Sequence, residues 1–133
     1  VRRVAGGEAV RVLRPETVAE LTGRQRVGMV DLTFKCGIDW GLGFMVNSAV
    51  KSGSGAEATV VEHPYGFGPY AGRGAFGHGG SQSTIGMCDP EQELVIAAHF
   101  NGYPGEAAHD RRNKAFFRAV YEDLGVKGMA NAE

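Results

Sequence analysis

Two apolar runs near the C-terminus predict an antiparallel hairpin. The segments STIGMCD (residues 83–89) and LVIAAHFN (residues 94–101) have the length and apolar content of strands. Asp89-Pro90-Glu91 between them is a turn-forming sequence, because Pro presets one turn dihedral and Asp bonds its own backbone. Two strands joined by so short a link are expected to pair with each other.

After the hairpin, the apolar residues follow helical spacing from about residue 107 to residue 124. The apolar residues form one stripe, while the charged residues mostly lie off it. Gly125 stands where a helix cap is expected. A shorter helix is predicted from Pro15 to about Gly23, with Pro at its first position and Val18, Leu21 and Val12 facing inward. The stripe of the last helix consists of Phe116, Phe117, Val120, Tyr121 and Leu124.

Between the helices the pattern predicts strands and loops. Residues 38–47, IDWGLGFMVN, predict one buried strand with a bulge or close approach at its glycines. A loop over residues 51–57, a short strand in ATVVEH and a glycine-aromatic loop over residues 64–77 follow. The order of elements predicts an α+β fold, in which an antiparallel sheet carries packed helices.

Composition limits the chain to a single domain over residues 1–133, or to part of a larger one. The apolar fraction is 43%, and 14 basic residues balance 15 acidic ones, so neither a nucleic acid nor a membrane is an expected partner. Cys36 and Cys88 lack metal-site spacing and are expected to be separate buried thiols. No metal and no cofactor are expected. The compartment stays open, with the cytoplasm favoured over the periplasm.

Glycine is abundant, at 21 of 133 residues, and the segment FGHGGSQSTIG over residues 76–86 carries the candidate chemistry. Residues 72–77 match G-x-G-x-x-G, but a dinucleotide site needs a strand before the match and a helix after it. Residues 79–83 nearly match the G-x-S-x-G elbow, and His-Gly-Gly nearly matches an oxyanion HGGG. The plain alternative is a glycine-rich corner between two strands, with His78 in solvent.

The segment HGGSQSTIGMCDPEQELVIAAHFN, followed by an amphipathic helix, resembles the end of the serine β-lactamase, penicillin-binding protein and related esterase superfamily. In that superfamily the active-site strand starts with Lys-Thr-Gly, or with His-Gly-Gly or Trp-Gly-Gly in the esterase-like branch. Upstream, RPETVAELTGRQ and DWGLGF also resemble it, so the resemblance covers about Leu13 to Gly125. It implies the C-terminal portion of a β-lactamase/transpeptidase-like fold, from the class C-like esterase branch.

The resemblance also implies a site for acyl transfer. The backbone N–H of Ser81 matches the oxyanion donor of the strand, and His78 stands in the place of the motif lysine. Gly79 and Gly80 would let a substrate approach the backbone, so His78, Gly79 and Gly80 are the expected substrate-binding residues. An imidazole is mostly neutral at pH 7, which suits a small ester or amide better than an anionic penicillin.

The nucleophile of that superfamily, in Ser-x-x-Lys, has no convincing copy here. Ser48-Ala49-Val50-Lys51 fits by pattern but follows a strand and precedes a loop, and the four tyrosines give no Tyr-x-Asn or Tyr-x-Ser. The chain, which opens at Val1 with VRRVAGG, is therefore expected to be cut from a longer hydrolase, and to be inactive alone. Its expected partner is the missing N-terminal part or a second copy. The alternative is a non-catalytic binding or interaction module.

The other histidines and the tryptophan are expected to be structural or solvated. His99 lies inside a predicted strand and is expected to be structural, while His63 and His109 are expected in solvent. Trp40 is expected to pack on the sheet or in the core.

Overall fold

The computed structural model describes residues 12–47, 50–52, 59–61 and 66–126. The predicted α+β class is confirmed, with helices α1 (Pro15–Thr22) and α2 (Glu106–Asp123) and short antiparallel strands. The strands are β1 (Val30–Asp31), β2 (Cys36–Gly37), β3 (Asp39–Trp40), β4 (Met45–Val46), β5 (Val50–Ser52), β6 (Thr59–Val61), β7 (Phe76–Gly80), β8 (Thr84–Asp89) and β9 (Leu94–His99).

Five of these strands form the central sheet, in the order β3-β4-β7-β8-β9. The predicted hairpin is confirmed as β8 and β9, which pair without a break from Thr84 opposite His99 to Asp89 opposite Leu94. The pairs β1-β2 and β5-β6 form two separate two-stranded sheets. The predicted strand in ATVVEH is confirmed as β6. The loop predicted over residues 51–57 is wrong at its start, because Lys51 and Ser52 pair with β6 as part of β5, and residues 53–57 lie outside the described residues.

The single strand predicted over residues 38–47 is wrong, because the chain reverses inside it. Asp39 pairs with Val46 and Trp40 with Met45, so the segment is a tight hairpin. Gly43 has a φ of 86° in the connection, a conformation that favours glycine. The predicted close approach is confirmed at Gly41, where an added Cβ would lie 2.4 Å from the carbonyl oxygen of Leu21.

Helix α2 covers one face of the sheet with the middle of its predicted stripe. Phe117 and Tyr121 are fully buried and pack with residues of β4, β8 and β9 in one core cluster, which includes Met45, Ile85, Met87 and Ile96. Phe116 and Val120 are partly buried against this cluster.

The C-terminal end of α2 differs from the prediction in one residue. Leu124 is 56% exposed, because it follows the last helical residue and caps the helix instead of continuing the stripe. Gly125 has a φ of 73°. Its N–H donates to Glu122 O, and the N–H of Val126 donates to Tyr121 O. These two bonds form the Schellman cap that the glycine predicts.

Helix α1 has the predicted bounds but not the predicted inward face. None of its residues is buried, Val18 is 41% exposed, and Val12 just before it is 81% exposed. The physical reason is that no described element covers this side of the helix. Within the described ranges, neither helix is both long and apolar enough to span a bilayer.

The two cysteines are separate free thiols, as expected, but each is only half-buried. Partial burial raises the pKa of Cys36 and of Cys88. The described part of the chain therefore holds neither thiol in a setting that favours the reactive thiolate.

Candidate active site

Strand β7 contains the His-Gly-Gly sequence and pairs differently along its two halves. On one side it pairs with β8 over its whole length, from Phe76 opposite Cys88 to Gly80 opposite Thr84. On the other side β4 pairs only with Phe76 and Gly77. The half formed by residues 78–80 therefore has no second strand among the described residues, and its edge is open to a ligand.

The connection from β7 to β8 is an unusual turn. Ser81 and Gln82 have φ values of 42° and 61°, and the N–H of Ser83 donates to Gly80 O at 3.0 Å. Positive φ at two successive positions costs roughly 1–2 kcal/mol per residue for side chains other than glycine. Ser81 is exposed, and its N–H has no acceptor in the part of the chain that the structure describes.

This geometry excludes the two motif alternatives for the glycine-rich segment. The G-x-G-x-x-G match over residues 72–77 runs into β7, so no helix N-terminus stands ready for a pyrophosphate. The near match to a nucleophile elbow lies between two strands, whereas the elbow needs a strand followed by a helix.

A cavity of about 270 Å³ lies beside the free half of β7. The connection between β1 and β2 closes one side with Thr33 and Phe34, and the start of α2 closes another. Its floor is apolar, from Met45 and Ile85. The predicted site residues His78, Gly79, Gly80 and Ser81 all line this cavity, together with Gln82, Glu106, His109, Asp110 and Asn113.

His109 was expected in solvent, and that prediction is wrong. Its side chain is only 4% exposed, and its Nε2 would lie 3.7 Å from a Cβ added at Gly79. The missing side chain of Gly79 makes room for the ring. Burial, and then the charge of Arg112, lowers the pKa of His109. Only the glycine thirty positions earlier could have signalled this burial from the sequence.

The contacts of His109 define which nitrogen carries its proton. Arg112 Nη2 lies 3.1 Å from Nδ1, and a guanidinium can only donate, so Nδ1 accepts. The proton of the neutral ring is then on Nε2, 3.1 Å from the side-chain amide of Asn113. The amide oxygen of Asn113 is the atom that suits this donor, so we assign the amide with its oxygen toward Nε2.

His78 lines the cavity, and Trp40 lies beside it. Their rings lie 5.5 Å apart between centroids, and His78 is exposed. Trp40 also stacks on Phe34 at 6.4 Å and lies under the guanidinium of Arg26, which confirms the predicted packing role of its ring. His99 lies on the exposed face of β9. His63 and Ser48 lie outside the described residues.

Asp31 holds the connection that closes the cavity. Its Oδ1 accepts the N–H groups of Thr33 and Phe34 at 2.9 and 3.1 Å, and its Oδ2 accepts Arg26 Nη2 at 2.6 Å. The hydrogen bond from Arg26, followed by that from Phe34, lowers the pKa of Asp31 from 3.8 to about 2.

We therefore expect Asp31 to stabilise the fold above pH 3.8 and to lose this contribution as the pH falls through about 2. A carboxyl ¹³C NMR titration of the folded chain measures the pKa of Asp31 directly. Arg26→Gln should move the midpoint upward toward 3.8, whereas Arg14→Gln, at an exposed arginine, should leave it unchanged. An Asp31 that titrates at its ordinary pH in the unchanged chain would contradict the assignment.

Comparison with known proteins gives one family. A family model described as Beta-lactamase matches residues 2–119. No curated protein matches the chain.

Proposed function

The chain belongs to the beta-lactamase family, and on this premise we propose that it supplies the oxyanion-hole strand of a serine hydrolase. The free half of β7 and the Ser81 N–H carry the proposal, because this donor has no acceptor among the described residues and lines the cavity. The substrate class we propose is a small ester or β-lactam-like amide. We further propose the class C-like esterase branch, because His78 stands in the place of the motif lysine, which is always positively charged.

The proposed chemistry is acyl transfer through a tetrahedral intermediate. A serine oxygen attacks the substrate carbonyl carbon, and the displaced electron pair moves onto the carbonyl oxygen. The Ser81 N–H would donate to that oxyanion, a type of contact worth about 10²–10³ in rate. Collapse of the intermediate breaks the bond from the carbonyl carbon to the alcohol oxygen or amine nitrogen, which takes up the proton released by the serine. Water then attacks the acyl-serine ester, which releases the carboxylic acid and restores the serine hydroxyl. The exposed ring of His78 would form a polar wall beside the leaving group.

We propose that another segment of the parent protein supplies the attacking serine. Ser48-x-x-Lys51 follows β4 in sequence, where the superfamily pattern instead opens a helix far upstream of the third motif. A serine-reactive phosphonate applied to the complete parent protein identifies the acylated residue. Labelling at Ser48 would contradict this assignment.

The partner of the chain would then be that missing segment. Helix α1 and the β1-β2 region leave a row of large apolar side chains in solvent, an arrangement typical of an interface. We propose that the rest of the parent domain covers this surface, and that a second copy covers it when the chain is alone. The row comprises Val12, Leu13, Val18, Val27, Met29, Val30 and Leu32, each 41–81% exposed.

The decisive experiment removes the Ser81 N–H and leaves its side chain in place. Proline cannot serve, because its ring requires a φ near −65° and Ser81 has a φ of 42°. Replacing Ser81 by its α-hydroxy acid turns the Gly80–Ser81 peptide link into an ester, which deletes the donor and also weakens Gly80 O as the acceptor of the Ser83 N–H. In the complete parent protein we expect kcat to fall by about 10²–10³, while Ser81→Ala keeps most activity.

The same ester at Gln92, in the exposed turn between β8 and β9, is the matched control and should leave kcat unchanged. Thermal unfolding of all three variants separates loss of the donor from loss of the fold. An inactive Ser81→Ala variant with unchanged stability would make the hydroxyl the reacting group. Full activity of the Ser81 ester would contradict the oxyanion role of this N–H.

A further inference from the structure

The Ser81-Gln82 turn is held from outside, because its own sequence does not favour it. Hairpin turns with positive φ at both central residues prefer Asn-Gly or Gly-Gly, yet here serine and glutamine occupy φ values of 42° and 61°. Such conformations persist where surrounding contacts impose them. We therefore expect the contacts of Gln82 to fix the direction of the Ser81 N–H.

Both the backbone and the side chain of Gln82 are bound by the start of α2. Arg112 Nη2 donates to Gln82 O at 2.8 Å. Gln82 Oε1 accepts the N–H of Gly105 at 2.9 Å, and Nε2 donates to Glu106 Oε1 at 2.9 Å. Three hydrogen bonds thus join one turn residue to the helix.

Arg112 is itself fixed in place. Its guanidinium lies 4.3 Å from the ring centroid of Phe100, and its Nη2 reaches the buried His109 Nδ1. Phe100 in turn donates its N–H to Ser83 O at 2.7 Å. Arg112 therefore connects the turn to a buried ring on one side and to the end of β9 on the other.

We propose that Arg112 and Gln82 are positioning residues that hold the turn and thereby aim the Ser81 N–H at the cavity. Neither side chain needs to touch the substrate for this role. The catalytic consequence rests on the proposed oxyanion function of Ser81, whereas the effect on turn geometry does not. The two parts can therefore be tested separately.

The first test measures turn geometry in the 133-residue chain by NMR, through the amide shifts and the HN–Hα couplings of Ser81 and Gln82. Arg112→Met removes the donors and keeps an apolar stem against Phe100, and we expect both residues to leave the positive-φ geometry. Arg112→Lys keeps one donor and should retain part of it. Arg111→Met, at the exposed neighbouring arginine, should change neither residue.

Should Arg112→Met prevent folding, Gln82→Met gives the same information without altering α2. Methionine has about the length of glutamine but can neither accept from Gly105 N nor donate to Glu106 Oε1. We expect the Ser81 amide to shift in this variant as well. Unchanged turn signals in a folded Arg112→Met or Gln82→Met chain would overturn the proposal.

The second test measures kcat and KM separately in the complete parent protein. A misdirected donor should lower kcat by about 10- to 100-fold with little change in KM, and Arg112→Lys should restore part of the loss. A changed turn with unchanged kcat would support the positioning role and contradict the oxyanion role of Ser81. A raised KM with an unchanged turn would make Arg112 a substrate contact and overturn the proposal.

Discussion

Asp89→Ala is expected to lower the free energy of unfolding by at least about 3 kcal/mol. Asp89 is fully buried at the end of β8 and accepts hydrogen bonds from Tyr121 Oη at 2.6 Å, Gly72 N at 2.8 Å and Glu91 N at 3.0 Å. Alanine leaves these three donors without their acceptor, and each orphaned donor costs about 1–3 kcal/mol when buried. Urea unfolding of the chain measures the loss.

Tyr121→Phe measures one part of this loss of stability, because it removes one of the three donors and keeps the carboxylate. Burial, and then the hydrogen bond to Asp89, raises the pKa of Tyr121, so its hydroxyl stays a donor at neutral pH. We expect Tyr121→Phe to cost about 1.5–3 kcal/mol. Tyr103→Phe, at a tyrosine that is 70% exposed, is the control and should change stability little. Equal losses for the two tyrosines would contradict the role of Asp89.

Gly77→Ala is expected to be the second strongly destabilising substitution, at about 1–3 kcal/mol or more. A Cβ at this position would lie 2.1 Å from Gly86 O and 2.8 Å from Met87 Cα. Both are backbone atoms of β8, so the clash cannot be relieved by rotating a side chain. The strands must separate, and that disturbs the pairing that carries His78 and Gly79.

The neighbouring strand offers a matched control for Gly77. Gly86 pairs with His78 in the same ladder, but a Cβ there would meet nothing within 4 Å. Gly86→Ala should therefore be neutral or slightly stabilising, because alanine restricts the unfolded chain more than glycine does. Thermal unfolding of both variants tests the difference. A Gly77→Ala chain as stable as Gly86→Ala would mean that the two strands do not approach so closely.

The sequence predicts elements well where the apolar pattern is long and the ends carry turn or cap residues. The β8-β9 hairpin and α2 have both features, and Gly125 marks the helix end through its required φ. The pattern fails over residues 38–47, because a turn between two-residue strands interrupts the apolar run without a polar break. It also fails for α1, whose apolar side faces no described element.

Some features of the candidate site can likewise be predicted from the sequence, and others cannot. The His-Gly-Gly strand can be recognised because a local motif is followed by the expected elements. The burial of His109 and the contacts of Gln82 cannot, since each depends on residues about thirty positions away. Even the sign of φ at Ser81 is set by such contacts, against the preference of the local sequence.

The hydrogen bond from Arg112 to Gln82 spans thirty positions, so the turn cannot acquire this contact until α2 has been synthesised. Chains grow from the N-terminus, so β7 and its turn are synthesised before the arginine that holds them. Closing so long a loop also has an entropic cost, which must be met before the contact can form. The strand with the candidate oxyanion donor therefore acquires its working geometry only when α2 docks.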